Sequence, residues 1–119
     1  MKIAPAEFEH LVEEALASLP KRFAELLQNV LVVVEEEPSD EDLDLLEHDH
    51  QELLGIFRGV PMTRKSYGML PVLPNQVAIF RGPILRVTGD RVTAVQQIRE
   101  TVIHELGHYF GLDDDAMAY

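Results

Sequence analysis

A helical pattern close to the C-terminus constrains the fold of this chain more than any other feature. At 100° per residue, the apolar side chains that follow Gly89-Asp90 gather on one side of a helix. With Val102 set at zero, this stripe comprises Val95, Ile98, Leu106 and Tyr109 within about 40°, and Val92, Ile103 and Phe110 near 80–100°. His104 and His108 fall at about 200° and 240°, on the opposite face with Gln97 and Thr101. The pattern therefore predicts a buried helix that presents two histidines away from the core.

The spacing of these histidines suits a metal ion. His104 and His108 lie one helical turn apart, so two imidazole nitrogens can converge on one tetrahedral Zn²⁺ at about 2.0–2.1 Å. Glu105 is rotated off the ligand row and can reach a metal-bound water instead. This is the HExxH arrangement of metallopeptidases, in which the glutamate is the general base. Two solvent-exposed surface histidines remain the simpler alternative.

The residues after the second histidine extend the motif. Gly111 suits the left-handed turn that ends a helix, and such a turn can fold the chain back toward the metal. Counted from His104, the sequence reads H-E-x-x-H-x-x-G-x-x-D, which makes Asp114 the predicted third ligand. Asp113 would point elsewhere in an extended turn, and Asp115 lies one residue too far.

Composition and charge exclude several classes of function. The 119 residues suffice for one domain, predicted to span residues 1–119, and the chain contains no cysteine for disulfides or thiolate ligands. No apolar run is long enough for a membrane span, and the first residues lack the apolar centre of a signal peptide, so a cytoplasmic location is expected. Residues 1–54 hold three Lys/Arg and fifteen Asp/Glu, which gives −12 there and +1 in the remainder. Nucleic acid is not an expected partner. The acidic excess either keeps the protein soluble or forms a face that steers basic peptides.

The remaining patterns predict a small α+β fold. Apolar residues recur at helical spacing from Phe8 to Leu19, and a second helix is expected between Pro20 and Asn29. Three apolar runs predict strands, namely VLVVV (30–34), LLGIFRG (53–59) and QVAIFRG (76–82). VLVVV is continuous enough to be a buried strand. Residues 60–75 predict a long loop, and Pro83 opens a brief turn or helix.

The acidic segment 35–52 allows two interpretations. Ser39 and Asp42 can cap a short helix around Leu43 to Leu46, whereas the density of like charges otherwise predicts a solvated excursion. His48 and His50 would share a face on a strand and could bind a metal, but adventitious affinity in a flexible acidic stretch is the favoured explanation.

The sequence resembles the small bacterial zincin-like metallopeptidase domains. Three stretches carry the resemblance: LLGIFRGVPMT, QVAIFRGPILR and, most specifically, TVIHELGHYFGLDDD. It implies a minimal zincin fold, with a short mixed sheet packed on helices and a C-terminal active-site helix. It also implies one Zn²⁺ per chain on His104, His108 and Asp114, with Glu105 as the base. Zincins generally hold an extended peptide against an edge strand, and QVAIF (76–80) is the candidate edge.

The resemblance implies a zinc-dependent metallopeptidase that hydrolyses peptide bonds, yet the chain departs from larger zincins. Only eleven residues follow His108, and Met117 comes too soon after Asp114 for the Met-turn of metzincins. Tyr67, Tyr109 and Tyr119 are the candidate electrophiles, although Tyr109 lies on the apolar stripe. A zinc-containing module that binds extended peptides without cleaving them is therefore a second hypothesis. A purely structural zinc site is a third, but such sites usually have four protein ligands.

Overall fold

The computed structural model describes residues 2–44, 52–59 and 75–110, and these form a mixed α+β structure. The elements in chain order are α1 (Pro5–Ala17), α2 (Lys21–Leu26), a 3-10 turn (Leu27–Asn29), β1 (Val30–Glu35), α3 (Asp40–Asp44), β2 (Gly55–Arg58), β3 (Asn75–Phe80), α4 (Arg81–Val87) and α5 (Arg91–Tyr109). The predicted helices and strands are thus present. The third strand ends two residues earlier than predicted, because α4 already begins at Arg81 and Pro83 fits its first turn.

The three strands form one mixed sheet in the order β1-β3-β2. β1 runs parallel to β3, and β2 runs antiparallel to it. The expectation that QVAIF is an edge strand is therefore wrong, since β3 is the central strand and its residues 77–80 are fully buried. VLVVV is not a fully buried strand either. β1 lies at the edge of the described sheet, and Val30, Val32 and Val34 pack against the main core. Leu31 points to the opposite face of the sheet and remains 47% exposed.

The main core lies between the sheet and the helices α1 and α5. On α5 the predicted stripe is confirmed at its centre, where Ile98, Val102 and Leu106 are fully buried. Val92 and Phe110 belong to the stripe by angle but are 67% and 40% exposed, because they lie at opposite ends of the helix, where fewer elements cover them. In the described parts of the chain, no helix is long and apolar enough to cross a membrane.

Side-chain caps fix the starts of two helices. Asp90 accepts a hydrogen bond from the backbone amide of Thr93 at 2.8 Å, and the Thr93 hydroxyl accepts one from the Asp90 amide at 3.2 Å. The predicted cap in the acidic segment is confirmed. Ser39 Oγ accepts from the Asp42 amide at 3.1 Å, and the Asp42 carboxylate accepts from the Ser39 amide at 3.0 Å.

Within the described part of the acidic segment, Asp42 departs from the predicted solvated excursion, whereas most of the other residues there are exposed, as the charge density predicted. Asp42 is only 4% exposed, and Arg58 of β2 donates hydrogen bonds to its carboxylate at 3.2 and 2.8 Å. The same guanidinium donates two bonds of 2.9 Å to Glu35 of β1. A cation with two carboxylate partners removes the like-charge repulsion that predicted solvation, and Arg58 thereby ties β2 to β1 and α3.

Candidate metal-binding and catalytic site

The two histidines of the HExxH motif lie side by side on the exposed face of α5. His104 and His108 are both exposed, as the helical pattern predicted. Their ring centroids are 4.6 Å apart, and the rings meet edge to face at 66°. Two imidazoles so close together can direct nitrogens toward one ion outside the helix.

Glu105 points away from the histidine row and toward the sheet. Its side chain is half-buried, and its Oε1 accepts a hydrogen bond from the backbone amide of Phe57 in β2 at 3.0 Å. Burial raises the pKa of this carboxyl above its usual 4.5, and the opposing effects of the Phe57 amide, His108 and His104 are smaller. The site therefore holds a carboxylate of increased basicity next to two imidazoles.

The sheet register explains why the Phe57 amide is available to Glu105. The Phe80 amide donates to the Leu54 carbonyl at 2.9 Å, which identifies these two residues as a hydrogen-bonded pair. Hydrogen-bonded pairs alternate along an antiparallel ladder, so the backbone groups of Gly55 and Phe57 face away from β3. The outer edge of β2 thus faces α5, and Glu105 occupies one donor of that edge.

A pocket of about 260 Å³ adjoins His104 and Glu105 on the side toward the start of α5. The segment before and into β2 forms one wall, and α5 forms the other. The lining residues are Leu53, Leu54, Gly55, Gln97, Glu100, Thr101, His104 and Glu105. Gly55 allows the two walls to approach closely, since a Cβ built there would lie 2.6 Å from Thr101 Cγ2 and 2.8 Å from the Ala78 carbonyl oxygen.

The donor set of the described residues is compatible with zinc but incomplete. Two imidazoles without sulfur ligands suit Zn²⁺, which takes nitrogen and oxygen donors, better than the all-oxygen sites of calcium or magnesium. Within residues 2–44, 52–59 and 75–110, no three His, Cys, Asp or Glu side chains are grouped to hold an ion. The predicted third ligand Asp114 lies outside the described residues, as do Gly111, Asp113 and Asp115. Asp114 therefore stays a prediction.

Other predicted residues also lie outside the described part of the chain. These are His48, His50, Tyr67, Met117, Tyr119 and the side chain of Tyr109. Sequence reasoning missed the Phe57 amide, because a backbone donor has no sequence signature, and it missed Glu100. Glu100 lies four residues before His104, so the helical pattern alone could have placed it near the motif.

A sequence model of the zincin-like metallopeptidase family matches residues 27–119, most of the chain. The chain belongs to this family. The match includes the sheet and α5 and begins after α2, so α1 and α2 precede the matched region. Family membership and the mixed sheet together confirm the predicted minimal zincin-like fold.

Among solved structures, the chain is similar to a conserved hypothetical protein from Thermus thermophilus. The two share 28% sequence identity and a TM-score of 0.58 over 91% of this chain and 94% of the other. No curated protein sequence matches the chain. The structural likeness therefore includes nearly all of both chains.

Proposed function

We propose that this protein is a zinc-dependent peptidase with one Zn²⁺ per chain, held by His104, His108 and Asp114, and with Glu105 as the general base. The observation that carries the proposal is the position of Glu105, half-buried between the exposed imidazoles and the outer edge of β2. No lysine or arginine of the described residues acts on its pKa.

The arrangement suits proton transfer. Zn²⁺ in such a site supplies a Lewis acid and lowers the pKa of water at its open position. The Phe57 amide holds Glu105 Oε1, which leaves Oε2 to accept a proton. In the zinc-free protein, burial raises the pKa of Glu105, so its carboxylate is more basic than that of an exposed glutamate.

We place the substrate as an extended peptide along β2 instead of β3. The backbone groups of Gly55 face away from β3, and the buried Gly55 lines the pocket between β2 and α5, so a substrate segment that enters this pocket would lie beside these groups. Glu105 touches the same edge at Phe57, so a peptide bond held there would lie beside the general base. The proposed substrate is accordingly a peptide or an extended segment of a protein, and a cytoplasmic location agrees with the absence of cysteine.

A zinc-containing module that binds peptides without cleaving them is the second candidate. It is favoured by the pocket lining, since the described residues there include no Tyr, Lys or Arg to stabilise an oxyanion. The presence of Glu105 argues against it, because binding alone needs no base.

Zinc content measured together with turnover of a peptide library tests the proposal. We expect about one Zn²⁺ per chain, no binding after His104→Ala or His108→Ala, and full binding after His48→Ala or His50→Ala. Stoichiometric zinc in a His104/His108 double variant would overturn the ligand assignment. Tight peptide binding without turnover by the zinc-loaded protein would favour the binding module.

The aspartates can be separated in the same assay. Asp114→Ala should weaken zinc affinity far more than Asp113→Ala or Asp115→Ala, because only position 114 matches the third-ligand position of the motif. Equal weakening by all three substitutions would mean that they act as a diffuse acidic patch.

A further inference from the structure

The pocket beside the proposed site has the size of a single substrate side chain. Its volume of about 260 Å³ is below the roughly 300–1,000 Å³ that is typical of sites for whole small-molecule ligands. It opens beside His104 and Glu105, where the scissile bond would lie if the proposed function holds. A side chain of the residue next to that bond is therefore the natural occupant.

The chemistry of the walls is divided between apolar and acidic groups. Leu53 and Leu54 are half-buried and provide an apolar surface at one wall. Glu100 is exposed on the opposite wall and forms no ion pair with a described residue. The described lining includes no lysine or arginine. An aliphatic chain that ends in a cation matches this combination, because its stem can cover the leucines while its head pairs with the carboxylate.

The polar groups deeper in α5 are already paired with each other. The Thr101 hydroxyl donates to the Gln97 carbonyl at 2.7 Å, and Gln97 Nε2 donates to Thr101 Oγ1 at 3.3 Å. Thr101 is 8% exposed and packs close to Gly55. These two residues shape the pocket, whereas Glu100 provides a charge that no described cation neutralises. The net charge of −11 also favours the approach of cationic peptides.

We propose that this pocket receives a lysine or arginine side chain of the substrate, and that Glu100 determines this preference. The proposal rests on the proposed function for the position of the scissile bond and adds the substrate class: peptides with a basic residue beside the bond. In this proposal Glu100 determines substrate specificity, whereas Glu105 accepts the proton as the general base.

Matched peptides test this assignment. An otherwise uncharged peptide carries Lys, Leu or Glu at one position, and this position is varied along the peptide. Binding and cleavage of each peptide by the zinc-loaded protein are both measured. At the best position, the Lys peptide should bind about fivefold more tightly than the Leu peptide, as expected for a partly exposed ion pair. Glu100→Gln should remove most of this ratio, and Glu100→Lys should reverse it in favour of the Glu peptide.

Glu9→Gln is the matched control, because it removes the same charge from the exposed surface of α1 and should leave the Lys/Leu ratio as it is. A Lys preference that persists after Glu100→Gln, or a preference for Leu in the wild type, would overturn the assignment. The outcomes distinguish this assignment from the proposed hydrolysis. Peptide binding that depends on Glu100 without any cleavage would overturn the hydrolysis and support the pocket assignment. Cleavage that does not depend on Glu100 would overturn only the pocket assignment. The pocket assignment would also be overturned if none of the peptides bound.

Discussion

Arg58 and Phe57, neighbouring residues of β2, each donate a hydrogen bond to a carboxylate, but the pKa values of these two carboxylates shift in opposite directions. Arg58 donates charged hydrogen bonds to Asp42, which is 4% exposed. Burial alone would raise the pKa of Asp42, but its bonds to Arg58 and Ser39 outweigh burial, and the net effect lowers it. Phe57 gives Glu105 only a neutral backbone amide, and burial raises the pKa of Glu105. The same strand thus stabilises one carboxylate as an anion and leaves the other ready to accept a proton.

The difference separates a carboxylate in an ion-pair network from the carboxylate that we propose as the general base. Asp42 belongs to an ion-pair network in which Arg58 also binds Glu35, so that β1, β2 and α3 share one cation. The only titratable groups of the described residues that act on the pKa of Glu105 are His108 and His104 of α5. The pKa of a carboxylate in this protein therefore depends on the chemistry of its partner as well as on burial.

The largest expected effect is the loss of hydrolysis in Glu105→Gln. The amide cannot accept the proton, so kcat/KM should fall by roughly 10²–10⁴-fold while zinc content stays at the wild-type level. Kinetics on one peptide set with metal analysis of each preparation measure this. Equal cleavage by wild type and variant would point to a contaminating protease. Asp42→Asn is the matched change on the structural carboxylate and should lower the free energy of unfolding instead.

Loss of the Arg58 guanidinium from the ion-pair network should lower the stability of the protein. Arg58→Ala leaves the buried Asp42 without its charged partner, and the free energy of unfolding should fall by about 2–3 kcal/mol. Urea unfolding of the zinc-free protein measures the change. Arg91→Ala removes an exposed ion pair with Glu7 and should cost less than about 1 kcal/mol. Similar losses in the two variants would mean that Arg58 is an ordinary surface arginine.

The close approach of β2 to α5 can be tested with a single methyl group. Gly55→Ala places a Cβ within 2.6 Å of Thr101 Cγ2, and the free energy of unfolding should fall by about 1–2 kcal/mol as the walls separate. Gly89→Ala is the control, since its Cβ would meet nothing within 4 Å. A Gly55→Ala variant as stable as Gly89→Ala would show that the strand and the helix are not held at this distance.

The pH dependence of stability in acid should have one sign for Glu35 and Asp42 and the opposite sign for Glu105. The bonds from Arg58 lower the pKa of Glu35, and the pKa of Asp42 is also lowered, so their contribution is present above the unfolded values of 4.5 and 3.8. This contribution is lost as the pH falls through the lower folded values. The raised pKa of Glu105 makes stability decrease as the pH rises from 4.5 toward its folded value.

Urea midpoints of the zinc-free protein across acidic pH measure these slopes. In Arg58→Ala, the free energy of unfolding should fall less steeply at low pH than in the wild type. In Glu105→Gln, the decrease in the free energy of unfolding above pH 4.5 should disappear. An unchanged pH profile in Arg58→Ala would show that Arg58 does not set the pKa of either partner.

Sequence reasoning predicted the local features and missed those that depend on distant partners. The face of α5 that carries His104 and His108 and the Ser39 cap follow from patterns within a few residues. The strand order does not, because QVAIF and VLVVV are both apolar β sequences and only pairing across the sheet separates centre from edge. Likewise, Glu105 meets an amide 48 residues away. Nothing in the residues around Glu105 specifies that partner.

Titration of Asp42 and Glu105 distinguishes the two carboxylates by their pKa values. Carboxyl ¹³C chemical shifts of the zinc-free protein, followed through acidic pH and assigned with Glu105→Gln and Asp42→Asn, report both groups in one titration. The pKa of Glu105 should lie above 4.5 and that of Asp42 below 3.8. A Glu105 that titrates at or below 4.5, or an Asp42 at or above 3.8, would contradict the division between a carboxylate kept for proton transfer and one that holds the fold together.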